Sequence, residues 1–332
     1  MQVRFLASLN NMKFTAFLYI GLYSLFNMNS MGQYVAQNIK VHDPTIIKQD
    51  SLYYLFATGR GLKSWSSSDL VNWKQEKCIF EQAPEWALRD IPGFKDHIWA
   101  PDISFYKGTY YLFYSVSVFG KNTSAIGLVT NTTLNVNDSA YHWVDRGNII
   151  QSIPGKTNWN AIDPNLIVDE NGTPYLSFGS FWSGLKIVKL TKDRLKIDQP
   201  LTEIVTLGSR KNTGANPIEA PFIYRKGKYF YLFASIDYCC KCIQSTYKII
   251  VGKATSVLGS YIDQEGKKLI EGGGTIIIKG NEHWHGIGHC AVANFDNEDY
   301  IVFHGYDAGD KGISKLLVRK ITWNDAWPTA VL

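Results

Sequence analysis

The stretch Val41-His42-Asp43-Pro44-Thr45-Ile46, followed at Tyr53 to Phe56 by a strand-like run, decides the fold because versions of it recur along the chain. The other four versions, each with its own aromatic run, are Ala100-Pro101-Asp102-Ile103 with Tyr110-Tyr111-Leu112-Phe113, Asp163-Pro164-Asn165-Leu166 with Tyr175-Leu176-Ser177-Phe178, Ala220-Pro221-Phe222-Ile223 with Tyr231-Leu232-Phe233, and a weaker His289-Cys290-Ala291-Val292 with Tyr300-Ile301-Val302-Phe303. The aligned tyrosines are 57, 64, 56 and 69 residues apart. Five supersecondary units of about 60 residues, each opening with strands, predict an all-β chain folded as a five-bladed β-propeller.

The composition agrees with one globular, β-rich domain. The 332 residues include 14% aromatic and 19% charged side chains, and aromatic residues are enriched in strands. Because the repeat spans nearly the whole chain, we expect residues 34–332 to form a single propeller domain. The net charge of +5, from 34 basic and 29 acidic residues, is small and scattered. It argues against a nucleic-acid-binding surface and suits a neutral substrate.

Residues 1–33 have the pattern of a secretory signal peptide. Lys13 precedes the apolar run from Phe14 to Phe26, and no acidic residue occurs before Gln33. The run is too short, and too often interrupted by polar residues, for stable insertion into a membrane. We therefore expect a secreted or periplasmic protein; the alternative is an N-terminal tail that packs on the domain or stays unfolded.

The cysteines do not form a disulfide framework, because their number is odd and their spacing is irregular. The five are Cys78, Cys239, Cys240, Cys242 and Cys290. Three of them form a local cluster at 239–242, but a metal site would need a second cluster, and the sequence has none. A loop with a local disulfide is the favoured interpretation of this cluster.

The first strand of each propeller blade lines the central channel, so the residue that opens each strand should face the axis. At the aligned position these residues are Asp43, Ala100, Asp163, Ala220 and His289, and Glu219 directly precedes the fourth. The mouth of the channel should therefore collect two aspartates, one glutamate and one histidine, with two alanines leaving room. Carboxylates crowded in a cleft raise one another's pKa, and such clusters are usually functional.

The order of the blades separates the roles of the three carboxylates. Blades 3 and 4 are neighbours, so the charge of Asp163 should raise the pKa of Glu219 and keep Glu219 protonated as a general acid. Blade 1 does not adjoin blade 4, so Asp43 should face Glu219 across the channel as the general base. A separation of roughly 6.5–9.5 Å between these two carboxyl groups would leave room for a water and predict inversion, whereas about 5–5.5 Å would predict retention.

Further residues are predicted to bind a metal ion or the substrate. His289 has an axial position in an oxygen-rich channel, where one histidine and several waters would suit a weakly held Ca²⁺; the alternative is a hydrogen-bonded core histidine. Sugar rings bind on flat apolar faces beside groups that form hydrogen bonds. The candidates for substrate contacts are Trp99, Phe119, Trp182, Asn165 and Ser183. For the three aromatic residues the alternative is ordinary packing between blades.

As an ordered set, the motifs resemble glycoside hydrolase family 43 over residues 38–328, and are most similar to its endo-α-1,5-L-arabinanase branch. The motifs are Val-His-Asp-Pro (41–44), Trp-Ala-Pro-Asp-Ile (99–103), Ala-Ile-Asp-Pro-Asn (161–165), Gly-Ser-Phe-Trp-Ser-Gly (179–184), Ile-Glu-Ala-Pro-Phe (218–222), Ser-Thr-Tyr-Lys-Ile-Ile-Val-Gly (245–252) and Gly-Ile-Gly-His (286–289). The resemblance implies a five-bladed propeller and an inverting enzyme. Its base, modulator and acid motifs fall on Asp43, Asp163 and Glu219.

The resemblance also bears on the metal ion. In arabinanases an axial histidine helps to hold Ca²⁺ through water, and the matching motif falls on His289. Two residues depart from the pattern of the family: Ile287 stands where proline is usual, and Cys290 stands where asparagine is common. Both departures concern the surroundings of the metal and leave the three carboxylates untouched.

Three hypotheses on function follow. The favoured one is a secreted, monomeric hydrolase that cleaves α-1,5-linked L-arabinofuranose chains in plant cell-wall arabinan or arabino-oligosaccharides. The second is an exo-acting α-L-arabinofuranosidase or β-xylosidase of the same family; the chain ends at Leu332 without the β-sandwich that many family xylosidases append, which favours an arabinanase. The third is a non-catalytic sugar-binding propeller, which we would expect to have lost one of the three carboxylates.

Overall fold

A computed structural model describes residues 34–211 and 213–332; the predicted signal peptide, residues 1–33, lies outside this part of the chain. The described residues form one short α-helix, α1, at Glu85–Asp90 and many short strands. In chain order the strands are β1 Tyr34–Lys40, β2 Thr45–Gln49, β3 Leu52–Ala57, β4 Gly59–Arg60, β5 Lys63–Ser67, β6 Lys74–Gln75, β7 His97–Tyr106, β8 Thr109–Val116, β9 Ser124–Asn131, β10 Val144–Ser152, β11 Asn165–Val168, β12 Pro174–Phe178, β13 Leu185–Lys189, β14 Val205–Gly208, β15 Ile218–Lys226, β16 Tyr229–Ile236, β17 Lys248–Ala254, β18 Thr275–Lys279, β19 Trp284–Phe295, β20 Glu298–Asp307, β21 Ile313–Lys320, β22 Thr322–Asn324 and β23 Trp327–Thr329. The chain is nearly all β, as the repeat predicts.

Strands β1 to β21 form five antiparallel sheets, which are the five blades of a propeller, and β22 and β23 form a separate two-stranded sheet. Blade 1 has the order β2-β3-β5-β6, blade 2 β7-β8-β9-β10 with β4 added beside β7, blade 3 β11-β12-β13-β14 and blade 4 β15-β16-β17-β18. Blade 5 has the order β19-β20-β21-β1, so its last strand comes from the beginning of the domain. This closure, in which Tyr34 pairs with Val318 and Lys40 with Lys315, was not predicted from the sequence. It joins the two ends of the ring without a covalent bond.

The aromatic runs form the second strand of each blade because both faces of these strands are buried. In β3, Tyr54 and Phe56 belong to a hydrophobic cluster shared with blade 2, whereas Leu55 and Ala57 belong to one shared with blade 5. Successive side chains of a strand point to opposite faces. A strand between two blades therefore needs an apolar residue at every position, which accounts for the continuous runs instead of an alternating pattern.

The five aligned positions share one backbone conformation. Their φ angles are positive: 53° at Asp43, 45° at Ala100, 58° at Asp163, 54° at Ala220 and 49° at His289. In blades 2, 4 and 5 the pairing of the first two strands shifts at this point, as in a β-bulge. Left-handed backbone is unfavourable for residues other than glycine, so its fivefold recurrence shows that it is built into the repeat.

Each of these five residues donates its backbone N–H to a side chain of the preceding blade. The hydrogen bonds run from Ala100 to Thr58 Oγ1 (2.9 Å), from Asp163 to Ser115 Oγ (3.0 Å), from Ala220 to Asp163 Oδ2 (3.1 Å), from His289 to Ser235 Oγ (2.8 Å) and from Asp43 to His304 Nδ1 (3.2 Å). We call this ring of bonds the blade relay. It satisfies a buried N–H in every blade and fixes the residues that open the channel.

Candidate active site

A cavity of about 1170 Å³ opens where the blades' first strands begin. Asp43, Asp163, Glu219 and His289 all line it. Asp43 and Asp163 precede β2 and β11, and Glu219 and His289 lie in β15 and β19. The fourfold convergence of acidic and imidazole side chains expected from the repeat is therefore present in one cavity.

Asp43 is buried and surrounded by hydrogen-bond donors. The Thr58 hydroxyl donates to its Oδ2 at 2.6 Å, and Nδ1 of His42 and Nδ1 of His289 lie 2.8 and 3.2 Å from its Oδ1. Burial alone would raise the pKa of Asp43, but the charge and hydrogen bond of His42, together with His289 and His304, hold this pKa well below its ordinary value. Asp43 is thus kept ionised.

Two of the histidines around Asp43 were not among the residues predicted from the sequence. His42 stacks on His304, with ring centroids 3.8 Å apart, and its Nε2 lies 2.8 Å from Tyr306 Oη. Burial lowers the pKa of His42, but the neighbouring Asp43 carboxylate outweighs it and the pKa is raised. His304 could have been noticed in the sequence, because it stands four residues after its blade's aligned tyrosine, as Thr58 does in blade 1.

Glu219 is buried and lines the same cavity as Asp43. The Ser180 hydroxyl donates to its Oε2 at 2.5 Å, and Tyr247 also hydrogen-bonds its carboxyl group. Burial raises the pKa of Glu219, and the charge of Asp43 raises it further, while the hydrogen bonds from Ser180 and Tyr247 oppose that rise. Burial and the charge of Glu219 also raise the pKa of Asp163. One cavity therefore contains a carboxyl group whose pKa is lowered and two whose pKa is raised, and opposite shifts of this kind suit a general base and a general acid.

Three aromatic residues predicted to contact sugar line the same cavity. These are Trp99, Phe119 and Trp182. Phe119 is 76% exposed and Trp182 is 40% exposed, which leaves their faces available to a ligand. Trp99 is held by a hydrogen bond from its Nε1 to His97 Nδ1 at 2.7 Å.

The two polar residues predicted to contact sugar lie elsewhere. Asn165 is buried and does not line the cavity: its amide donates to Asp102 Oδ1 at 3.2 Å and its oxygen accepts the Ile223 N–H at 2.8 Å. It therefore ties blades 2, 3 and 4 together beside Asp163, and burial raises the pKa of its partner Asp102 to about 7. Ser183 is also outside the lining of the cavity, where its hydroxyl donates to Asn158 at 3.3 Å.

His42, Asp43 and His304 form a group that could hold a metal ion, because one ligand atom of each lies within 4.8 Å of the others. His304 Nε2 is buried and has no hydrogen-bond partner in the described part of the chain. Two imidazoles and one carboxylate are closer to the preference of transition ions than to that of Ca²⁺, which takes six to eight oxygen ligands. His289 faces the same Asp43 oxygen and lines the cavity.

Comparison with known proteins shows which family the chain resembles. The family model described as "Glycosyl hydrolases family 43" matches residues 35–328. The chain is 44% identical over 301 residues to the Cellvibrio japonicus "Extracellular exo-alpha-(1->5)-L-arabinofuranosidase ArbA", covering 88% of this chain and 87% of that protein. It is 43% identical over 298 residues to the Bacillus subtilis "Extracellular endo-alpha-(1->5)-L-arabinanase 1", covering 89% and 88%. The Cellvibrio cellulosa alpha-L-arabinanase solved in complex with arabinohexaose superposes with a TM-score of 0.84 at 42% identity, covering 90% and 96%.

Proposed function

Because the chain belongs to glycosyl hydrolases family 43 and is a glycoside hydrolase, we propose that it is an inverting arabinanase that cleaves α-1,5-L-arabinofuranosidic bonds within arabinan. The observation that carries the proposal is that Asp43 and Glu219 line one cavity and have opposite pKa shifts, with the pKa of Asp43 lowered and that of Glu219 raised. The names of the relatives at 43–44% identity support arabinan or its oligosaccharides as the substrate.

In the proposed reaction Glu219 is the general acid and Asp43 is the general base. Glu219 gives its proton to the glycosidic oxygen while the bond from this oxygen to the anomeric carbon breaks. Asp43 takes a proton from a water on the opposite face, and the resulting hydroxyl adds to the anomeric carbon, so its configuration inverts. Asp43 then loses its proton to solvent and Glu219 regains one. We propose Asp163 as the modulator and orienter, because it lines the same cavity as Glu219 and accepts the N–H of Ala220 beside it.

For the substrate contacts we propose Trp99, Phe119 and Trp182, because each lines the cavity and offers an aromatic face. Asn165 is better suited to positioning, since its side-chain amide is occupied by Asp102 and by the Ile223 N–H. Ser183 contacts Asn158, and a sugar that extends out of the cavity would meet it only at the rim.

Internal cleavage is the proposed mode, and cleavage from one end is the second candidate. The second candidate is favoured by the name of the 44% identical relative, an exo-acting arabinofuranosidase. Linear arabinan digested to low conversion distinguishes the two: a ladder of oligosaccharides is expected for internal cleavage, and a single short product from the start would establish the exo mode. Proton NMR of the first product formed tests inversion, because the anomeric configuration should be opposite to that of the substrate bond; the same configuration would mean retention.

We also propose that His289 holds a Ca²⁺ ion in the cavity through water. The chain offers few oxygen ligands there, so water would have to complete the coordination. When bound, the ion would add positive charge beside Asp43 and favour its ionised form. Calorimetry tests this without an activity assay: the metal-free wild type should bind Ca²⁺ and His289→Ala should not, whereas equal binding by both would contradict the role of His289.

We propose that the protein is secreted, with residues 1–33 as the leader, and that it acts as a monomer. Two relatives are named extracellular, and among the described residues no helix is long and apolar enough to cross a membrane. N-terminal sequencing of the exported protein should begin near residues 30–36, and an uncleaved N-terminus would contradict the leader. Sedimentation should give the mass of one chain.

A further inference from the structure

The Cys239–Cys240 disulfide forms part of the wall of the active-site cavity. It joins two consecutive residues, and two residues separate Cys239 from the end of β16 at Ile236. Both cysteines line the cavity with Tyr238 and Lys241, and Cys240 is exposed. Exposed disulfides are the ones that thiols reach and reduce, in contrast to buried structural disulfides. This disulfide can therefore meet both a bound sugar chain and a dissolved thiol.

The turn that carries the disulfide is fixed to the surroundings of Asp43. The Cys240 N–H donates to Tyr306 Oη at 2.9 Å, and the same oxygen lies 2.8 Å from His42 Nε2. Cys240 Sγ itself lies 4.0 Å from this nitrogen, and the other ring nitrogen of His42 lies 2.8 Å from Asp43. The position of this turn thus shapes the cavity close to the proposed base.

Opening the disulfide would free the turn. In the closed form the two side chains and the peptide between them belong to one small ring, which restricts the conformations of the turn. A dithiol reductant supplies two electrons and two protons: the S–S bond breaks, two cysteine thiols form, and the reductant becomes a disulfide. The conformational freedom gained in this way has to be lost again whenever a sugar chain packs against the wall, so binding becomes weaker.

We propose that the Cys239–Cys240 disulfide is a redox-sensitive part of the substrate site, which binds the sugar chain in its closed form and binds it less tightly after reduction. This rests on the proposed function, because the sugar chain is the arabinan substrate. Reduction should raise KM for linear arabinan by about three- to tenfold. It should leave kcat within about twofold, because Asp43 keeps its hydrogen bond from Thr58 and Glu219 keeps that from Ser180.

Two of the three remaining cysteines, Cys242 and Cys290, provide internal controls. Cys242 is an exposed free thiol outside the lining of the cavity, and Cys290 is a buried free thiol in β19. Burial raises the pKa of Cys290, which makes its thiol unreactive while the protein is folded. Cys242 should be alkylated before any reduction, and Cys290 only after unfolding. If Cys239 and Cys240 are alkylated after mild reduction while Cys290 is not, the disulfide opens in the folded enzyme.

The experiment combines this alkylation, read by peptide mass spectrometry, with kinetics on linear arabinan before and after treatment with dithiothreitol. Wild type and Cys242→Ser should both show the rise in KM on reduction. The double variant Cys239→Ala/Cys240→Ala should have the raised KM from the start and should not respond to the reductant. The proposal is overturned if Cys239 and Cys240 are labelled only under conditions that also label Cys290. It is also overturned if KM does not change once Cys239 and Cys240 have been labelled. Activity of the oxidised wild type is measured first: its absence would overturn the proposed function, whereas its presence with an unchanged KM overturns this proposal alone.

Discussion

The backbone N–H of Ala220 donates to the carboxylate of Asp163, 3.1 Å away, where the other four blades use the side chain four residues after the aligned tyrosine. In blade 3 that residue is Gly179, which has no side chain to offer. A Cβ on Gly179 would lie 2.7 Å from the Gly184 carbonyl oxygen, and its φ of 125° also disfavours any other residue. Because blade 3 has no side chain at this position, the carboxylate of Asp163 accepts the N–H of Ala220, the residue next to Glu219.

Two substitutions of Asp163 separate its charge from this hydrogen bond. Asp163→Asn keeps an oxygen for the Ala220 N–H but removes a carboxyl group that can ionise beside Glu219. If Asp163 is the modulator, the pKa of Glu219 should fall and the basic limb of the pH–activity profile should move to lower pH. Asp163→Ala removes both, and it should also lower the free energy of unfolding by about 1–3 kcal/mol because a buried N–H loses its partner. A pH profile of Asp163→Asn identical to that of wild type would leave Asp163 only a structural role.

Ser180→Ala should move the basic limb in the opposite direction. The Ser180 hydroxyl donates to Glu219 and so stabilises its ionised form. Without this hydrogen bond the pKa of Glu219 should rise, so the protonated acid should persist to higher pH and the basic limb should shift upward. Ser183→Ala is the matched control, because that hydroxyl bonds Asn158 instead of Glu219. A limb that stays in place or moves to lower pH in Ser180→Ala would contradict this assignment.

The blade relay should be worth measurable stability. Ser115 and Ser235 are fully buried, and each hydroxyl accepts a backbone N–H of the next blade. Replacing either by alanine should reduce the free energy of unfolding by about 1–3 kcal/mol, measured with urea. The exposed Ser68 provides the control, since Ser68→Ala should stay within about 0.5 kcal/mol of wild type. Equal stability of all three variants would show that the relay is incidental.

Glu219 should reduce stability at neutral pH. Its pKa is raised in the folded protein, so the folded state binds more protons than the unfolded state between the unfolded and the folded pKa. The stabilisation that comes from the protonated Glu219 is complete at pH values below its pKa in the unfolded state. This stabilisation is lost as the pH rises through its pKa in the folded state. Glu219→Gln should therefore be more stable than wild type at neutral pH, with the difference vanishing near pH 4. Thermal unfolding at several pH values checks this, and a variant less stable than wild type at pH 7 would contradict it.

The repeat predicts much of the architecture because both faces of each second strand are buried. Tyr54 and Leu55 pack against different blades, so the run leaves a continuous signature in the sequence. The spacing of the repeat also predicts that Asp43, Asp163 and Glu219 lie at one cavity, and all three line it. The strand Tyr34–Lys40 carries no such signature, because it is an outer strand that pairs with only one neighbour, β21.

Contacts between distant residues are what the sequence leaves open. His42 and His304 meet at a ring distance of 3.8 Å although 262 positions separate them. Tyr247 reaches Glu219 from the position directly before the third strand of its blade. Asn165 was predicted to face the cavity, yet the left-handed turn at Asp163 directs it into the contact between blades. Side-chain direction at a bulge depends on backbone angles that the spacing of residues does not reveal.

The most direct test is the turnover of linear arabinan by Glu219→Gln, compared with wild type and with the fold verified by cooperative unfolding. The amide keeps the shape of the side chain but has no acidic proton to give. The account predicts a loss of about 10³-fold or more in kcat with the fold intact. Turnover close to that of wild type by the folded variant would show that the proton comes from another group, and would contradict the assignment on which the mechanism rests.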